Sequence, residues 1–350
     1  MCKIRYLEGL RGVAALVVVF NHLKMTCFID EFSSLIRQIS YLDLPTVLKV
    51  SMINGLQFFV DGGLAVWVFW VLSSYVISIK FFKSNMNYDR VLIGYFTKRY
   101  FRLLFPVMAS IIFSYLLLKL DFMYNITLAN FLGKRYQGWL ASFYAFPPNF
   151  YNAIKTGVYD TFFSYSRRIT YNAVLWTIQN EFLGSLFTFG IFGIVRHNKS
   201  RFLIYSVIIL IIIKLKIIWL SAFVIGHVLC DYDHSSFNHK FLQKLKVIEM
   251  KIHKYNSPVF IGGLFFFLLS RSFMSIMGVP NEYHNVIISV LIVYSCLRNT
   301  YYKKFLSGKI PYWLGGISFS LYLIHLPVMC SFTSFVLILD STFTLSLIHI

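Results

Sequence analysis

Long apolar segments recur from one end of this sequence to the other, and they constrain its fold more than any other feature. Of its 350 residues, 57% are hydrophobic and 13% are charged, whereas soluble domains are about 25% charged. A helix needs about 20 apolar residues to cross a bilayer. We therefore predict an all-α polytopic integral membrane protein with nine to ten transmembrane helices. The candidate segments are residues 9–28, 56–82, 101–120, 174–195, 202–213, 215–230, 258–274, 284–297 and 312–339.

The distribution of lysine and arginine predicts which side of the membrane each loop faces. Positive residues accumulate in cytoplasmic loops, and a cytoplasmic N-terminus places 21 of the 33 lysines and arginines on the inner side. This bias accounts for the net charge of +19, so we expect no nucleic-acid partner. The five cysteines include no Cys-x-x-Cys pair, and we expect no metal site. Segments 202–213 and 215–230 are short and predict a helical hairpin or a partly re-entrant pair.

Arg11 and His22 lie in the first apolar segment with ten residues between them. On a helix this offset is about three turns, roughly 16 Å, and it returns both side chains to nearly the same face. With the N-terminus inside, Arg11 lies near the cytoplasmic end and His22 lies about 20 Å into the bilayer. Ionisable side chains at such a depth are costly and commonly functional. The pair therefore predicts a functional site within the membrane.

The position of each remaining ionisable group along its predicted span gives its expected depth in the membrane. Arg99 and Arg102 mark the inner side, where guanidinium groups suit phosphate, although they could also be interfacial anchors. Glu181 could orient His22 or pair with an arginine, and His325 could line the site or bond a neighbouring backbone carbonyl or Tyr322. The groups expected with His22 in the outer half of the membrane are Asp61, Glu181 and His325.

The loop of residues 139–171 contains eleven aromatic residues. One interpretation is a stacking platform or lid for a glycan. The other is an aromatic belt at the membrane interface, where tryptophan and tyrosine are enriched. Both interpretations remain open at this point.

Five sequence patterns follow one another along nearly the whole chain, in residues 7–22, 66–75, 98–106, 176–182 and 318–327. The first contains Arg11 and His22, the third is an Arg-x-x-Arg motif, the fourth is Trp-x-x-x-x-Glu and the fifth is Tyr-x-x-His-x-Pro. In this order they resemble the acyltransferase-3 family of membrane O-acyltransferases. Three positions depart from the usual family residues. Glu8 stands where the family has aspartate, Trp67 where an acidic residue is common, and Ser74 where the family has glycine.

The resemblance implies a single transmembrane domain over residues 1–350, with no fused SGNH-like hydrolase domain and with the family's usual tenth helix missing or incomplete. It implies transfer of an acyl group, usually acetyl, from acyl-coenzyme A to a sugar hydroxyl on the far side of the membrane. Stand-alone relatives include O-antigen acetylases of the bacterial cytoplasmic (inner) membrane. The expected partners are acetyl-CoA as donor, a glycan or lipid-linked glycan as acceptor, and the lipid bilayer.

The resemblance and the depth order together predict the roles of individual residues. His22 would take the acceptor proton or carry the acyl group itself, with Arg11 and Glu181 as further catalytic residues. The CoA phosphates would bind Arg99 and Arg102, with Arg11 as an additional contact. The residues predicted to line the substrate site are Asp61, Ser73, Trp176, Tyr322 and His325.

Two other functions fit the same composition. A transporter of lipid-linked sugars or a polysaccharide polymerase also combines many apolar helices, basic loops and large outer loops. A family member that has lost its chemistry would keep the fold and most of the motifs. Binding of acetyl-CoA would distinguish the acyltransferase from a transporter or polymerase.

Overall fold

The computed structural model describes residues 4–83, 88–133, 137–196, 198, 200–234, 273–274 and 276–340. Every regular element in these ranges is helical, in agreement with the predicted fold class. The helices used below are α1 (Arg5–Cys27), α2 (Ile29–Tyr41), α3 (Thr46–Phe58), α4 (Gly62–Lys83), α5 (Tyr88–Lys119), α6 (Asn125–Leu132), α7 (Phe150–Lys155), α8 (Trp176–Val195), α9 (Arg201–Lys214), α10 (Trp219–His234), α11 (Asn281–Arg298), α12 (Thr300–Leu306) and α13 (Lys309–Val328).

Five helical segments are long and apolar enough to cross a membrane. They correspond to the first, second, third, fourth and ninth predicted spans and cover Arg5–Cys27, Gly62–Phe82, Gly94–Lys119, Ala173–Val195 and Lys309–Asp340. The second span begins later than predicted because α3 is a separate helix. Helices α9, α10 and α11 match the fifth, sixth and eighth predicted spans. The predicted span 258–274 falls mainly outside the described residues, as does the apolar stretch 345–350, so the total number of spans and the cytoplasmic N-terminus remain predictions.

The chain divides into two compact units. The first unit is drawn from Met1–Val18, Ser34–Gly94 and Leu183–Ser318, and the second from Val19–Ser33, Tyr95–Phe182 and Phe319–Ile350. Within the first unit, α4 packs against both α10 and α11. A helix that is apolar on every side belongs in a protein interior, and 78% of the most apolar window of α4 is buried.

Ser74, which stands where the resembled family has glycine, is fully buried in this interior. Its hydroxyl lies 3.2 Å from that of Thr188 and donates to the Phe223 carbonyl. One turn along α10, a Cβ at Gly226 would overlap the Val71 carbonyl oxygen. Small residues let membrane helices approach closely, and hydroxyl groups can then bond across the contact. The departure at Ser74 is therefore accommodated by hydrogen bonds.

Helices α9 and α10 form a hairpin, which was one of the two predicted arrangements. They pack together in the first unit, and the turn between them contains Lys216 with φ 56°. Arg201 forms an ion pair with Asp231 at 3.0 Å, and these side chains are 6% and 0% exposed. The Tyr205 hydroxyl donates to the same carboxylate at 3.0 Å. Because an unpaired charge is costly in such an interior, this cluster holds the two helices in register.

Glycines allow α1 to approach α12 and α13 closely within the first unit. A Cβ at Gly9 would overlap the Leu306 carbonyl, and a Cβ at Gly12 would overlap the backbone at Gly315. In the other direction, a Cβ at Gly315 would overlap the carbonyl of Glu8. The glycines around Arg11 in the first sequence motif therefore have a packing role, because they set the distance between backbones.

This contact predicts opposite effects for two adjacent glycines. Gly315→Ala should lower the thermal midpoint of the detergent-purified protein, since overpacking costs roughly 1–3 kcal/mol. Gly316→Ala is the matched control, because its Cβ would meet no described atom within 4 Å and alanine favours helix by up to about 1 kcal/mol. Equal midpoints for the two variants would contradict the close packing at Gly315.

The aromatic loop between α5 and α8 is fixed by side-chain hydrogen bonds within the second unit. Asn125 Nδ2 donates to the carbonyls of Leu140 at 2.8 Å and Phe143 at 2.9 Å. The Tyr171 hydroxyl donates to the Asn149 carbonyl and accepts from the Asn149 amide, both at 2.8 Å. The loop is therefore a folded part of this unit, and its role as a lid or an interfacial belt remains a prediction.

Candidate active site

Pro327 shapes the part of α13 that lies in the second unit. Proline has no N–H, and its ring clashes with the carbonyl four residues earlier in a helix, which here belongs to Leu323. Beyond Pro327 the chain passes through a π-helical turn, Met329–Thr333, a feature that is frequent at functional sites. The Leu323 carbonyl accepts instead from Asn172 Nδ2 at 2.7 Å. The His-x-Pro motif therefore provides a backbone acceptor for a side chain from the loop.

The fully buried Asn172 connects this carbonyl to the start of α8. Its Oδ1 accepts from the amide of Val174 at 3.3 Å and so caps the short helical turn that precedes α8. One turn later, the Thr177 hydroxyl lies 2.7 Å from the hydroxyl of Tyr322. The loop thus reaches α13 through two neighbouring polar contacts.

These contacts also locate the start of α8 along the apolar helix that contains Leu323. Leu323 lies near the middle of the apolar helix Lys309–Asp340, and Asn172 bonds to it directly. The start of α8 is therefore level with the middle of that helix rather than with its end. Glu181 follows five residues into α8, and its depth in a membrane remains a prediction.

Tyr165 supports the same segment from the loop. Its hydroxyl donates to the Ala173 carbonyl at 2.9 Å. Burial raises the pKa of Tyr165 to about 12, so the phenol keeps its proton at neutral pH and remains a donor. A protonated phenol satisfies a backbone acceptor at the entrance to α8 without introducing a charge.

The contact between Asn172 and the helix predicts a coupling with Pro327. In Pro327→Ala the new backbone N–H can bond to the Leu323 carbonyl, so the side chain of Asn172 becomes partly redundant. Asn172→Leu should therefore lower the thermal midpoint less in the Pro327→Ala background than in the parent protein. The expected coupling is on the order of 1 kcal/mol. Equal losses in the two backgrounds would show that the Leu323 carbonyl does not depend on Asn172.

His22 and His325 come together at the centre of the candidate site, although 303 positions separate them in sequence. His22 Nδ1 lies 2.6 Å from His325 Nε2, and the planes of the two rings are within 15° of each other with centroids 4.9 Å apart. His325 is 5% exposed, whereas His22 is half-buried. Two predicted site residues thus form a histidine pair with one ring more accessible than the other.

Trp139 packs beside the accessible member of this pair. Its ring centroid lies 5.5 Å from that of His22, and its other neighbour is Phe143, edge-on at 5.0 Å. The segment that carries both aromatic residues is held by the amide of Asn125. The aromatic loop therefore supplies a positioned ring next to the histidine pair.

Arg99 and Glu181 form a second pair in the same unit. Arg99 Nη2 donates to Glu181 Oε1 at 2.5 Å, and the two side chains are 10% and 20% exposed. This is the arginine pairing that was one of the two interpretations of Glu181. The carboxylate holds one edge of the guanidinium, which has five N–H donors in total. Arg102, one helical turn further along α5, is exposed.

The remaining predicted site residues have the following positions. Arg11 pairs with Glu8 at 3.1 Å in the first unit, and it shares the continuous helix α1 with His22. Asp61 caps α4 by accepting from the Leu64 amide at 2.8 Å. Ser73 is a buried residue of α4, and Trp176, at the start of α8, is partly exposed.

Sequence reasoning missed Asn172 and Thr177 as residues that position the site. A signal for Asn172 was present, because asparagine immediately before a helix is a common N-cap. No local pattern indicated that its amide would reach α13. The partner of Thr177 depends on the packing of two distant helices.

Comparison with known proteins identifies the family of the chain. The acyltransferase domain family acyltransferase-3 matches residues 4–349, and the chain therefore belongs to this family. With its apolar helices, it is a membrane protein. The chain is also similar to a protein named acyltransferase R4 from Phoma sp., with 23% identity over 394 residues that cover 93% of this chain and 83% of that protein. No solved structure matches the chain.

Proposed function

We propose that this protein is an O-acetyltransferase that moves an acetyl group from cytoplasmic acetyl-CoA to a sugar hydroxyl. The acceptor is a surface polysaccharide or lipid-linked glycan of the O-antigen kind, and the setting is the bacterial inner membrane. The observation that carries the proposal is the contact of His22 with His325. It provides an imidazole base within an apolar helix, which is the group that acyl transfer to a hydroxyl requires. The acceptor class and the membrane rest on resemblance to stand-alone O-antigen acetylases.

The chemistry needs one nitrogen lone pair on His22. In the general-base route, Nε2 takes the proton of the sugar hydroxyl while the hydroxyl oxygen attacks the thioester carbonyl carbon. The C–S bond then breaks, and the leaving thiolate takes the proton from Nε2, which yields the ester and free CoA. In the covalent route, Nε2 itself attacks the thioester carbonyl carbon and the CoA thiolate leaves. The sugar hydroxyl then attacks the acyl carbon, the C–N bond breaks and restores the lone pair on Nε2, and the hydroxyl proton passes to the thiolate.

The arginines supply the proposed donor site. Arg102 is exposed and Arg99 is held by Glu181, so the two present guanidinium groups one turn apart on α5 for the CoA phosphates. Arg11 lies roughly 16 Å from His22 along α1, a distance comparable to the reach of the uncharged pantetheine arm. Glu181 is then a residue that positions Arg99.

The aromatic loop supplies the proposed acceptor site. Trp139 presents a ring beside His22, and aromatic faces offer the apolar surface on which a sugar ring can stack. The further lining residues of the second unit in the proposal are Trp176 and Tyr322.

The catalytic role of His22 predicts a specific loss of activity. His22→Gln should lower acceptor acetylation roughly 100- to 10,000-fold, measured by mass spectrometry of the surface polysaccharide at equal protein abundance. Arg11→Lys should weaken the reaction by loss of the guanidinium fork. The matched control is His234→Gln, because His234 lies in the first unit and bonds to Cys230 of its own helix. Full acetylation by a correctly inserted His22→Gln variant would refute the catalytic role.

Donor binding separates this function from that of a transporter or polymerase. Acetyl-CoA should raise the thermal midpoint of the detergent-solubilised protein in a concentration-dependent manner, since a ligand that binds only the folded state stabilises it. Arg102→Ala should shift that dependence to higher concentration. A midpoint that stays constant over a wide range of acetyl-CoA concentrations would favour the transporter.

A further inference from the structure

We infer that His325 is a positioning residue that holds His22 in the tautomer with its proton on Nδ1, so that the lone pair is on Nε2. The inference rests on the proposed function for its catalytic meaning, but its structural part stands on the contacts of the two rings. His325 would act through His22 and would touch neither the donor nor the acceptor.

The first step concerns the proton of His325. Its Nδ1 lies 3.2 Å from the carbonyl oxygen of Leu321, one turn earlier in the same helix. A carbonyl oxygen only accepts hydrogen bonds, and a neutral imidazole has one N–H. The proton of His325 is therefore on Nδ1, and its Nε2 is an acceptor.

The second step deduces which ring nitrogen of His22 carries its proton. The 2.6 Å separation between His325 Nε2 and His22 Nδ1 is a hydrogen bond that needs one donor. Because His325 Nε2 accepts, His22 Nδ1 must carry the proton. The lone pair of neutral His22 is then on Nε2, the nitrogen that faces away from His325. The hydrogen bond made by one ring nitrogen commonly determines the state of the other in this way.

The third step explains why His325 can enforce this state. Its ring lies in the protein interior, with its centroid 4.9 Å from that of His22 and 5.8 Å from that of Tyr322. Tyr322 is in turn fixed by Thr177 and by the Val174 carbonyl. These contacts with α8 and the turn before it fix the turn of α13 that carries Tyr322 and His325. The ring of His325 therefore cannot rotate without disturbing its neighbours.

Two substitutions of His325 separate positioning from packing. In His325→Gln the amide oxygen can still accept from His22 Nδ1, whereas His325→Phe keeps an aromatic ring without an acceptor. We expect kcat to fall roughly 10- to 100-fold in His325→Phe, with the KM for acetyl-CoA unchanged and with partial recovery in His325→Gln. Equal activity of the two folded variants would overturn the inference, as would wild-type activity of His325→Phe.

The wild-type protein provides a test that does not depend on enzyme activity. Nitrogen-15 NMR of histidine-labelled protein in lipid distinguishes protonated from unprotonated ring nitrogens, and the His22 signals are assigned by their absence from His22→Gln. We expect a protonated Nδ1 and an unprotonated Nε2 on His22. The opposite tautomer would overturn the inference even if acetyl transfer is observed. If the expected tautomer is found but no acetyl transfer is detected, the proposed activity is refuted, whereas the positioning of His22 by His325 still holds.

Discussion

A polar atom in the hydrocarbon core of a membrane has no water to bind, so its partner must come from the protein. The carbonyl of Leu323 illustrates this constraint. Pro327 removes its normal partner, and the buried amide of Asn172 replaces it. The segment between helices that contains Asn172 is thereby brought to Leu323 of α13, and the start of α8 lies beside it. The positions of Tyr322 and Glu181 in the second unit depend on this exchange of one hydrogen bond for another.

The same constraint is met in different ways in the two units. In the first unit, Arg201 and Asp231 neutralise one another in the interior of a helical hairpin, where a fixed charge pair stabilises a defined helix contact. In the second unit, His22 and His325 form a hydrogen-bonded pair of imidazoles, which can accept and release a proton. A permanently charged pair suits a structural role, whereas a neutral imidazole has a lone pair that can take a proton.

The sequence was sufficient for the features that depend on local periodicity and composition. The helical fold class and the continuous helix with Arg11 and His22 follow from apolar length and residue spacing. The partner of His22 could not be deduced, because the 303 positions between the two histidines leave the helix packing undetermined. The pairing of Glu181 with Arg99 was one of two open interpretations for the same reason.

The start of α8 shows a further limit of sequence reasoning. A count of residues from a span boundary does not tell which part of a neighbouring helix lies beside that boundary. Helix α8 begins beside Leu323, because Asn172 finds its partner there. The proline in the His-x-Pro motif was visible in the sequence, but its consequence involves a carbonyl on one helix and an asparagine from a distant loop.

The most direct test of the account follows the acyl group itself. Membranes with and without the protein are incubated with acetyl-CoA labelled in the acetyl group, and the label is traced into glycan by mass spectrometry and by its release with mild base. The account predicts base-labile label on a sugar hydroxyl only when the protein is present. Glycan that remains unlabelled at every acetyl-CoA concentration, with the protein folded and inserted, would contradict it.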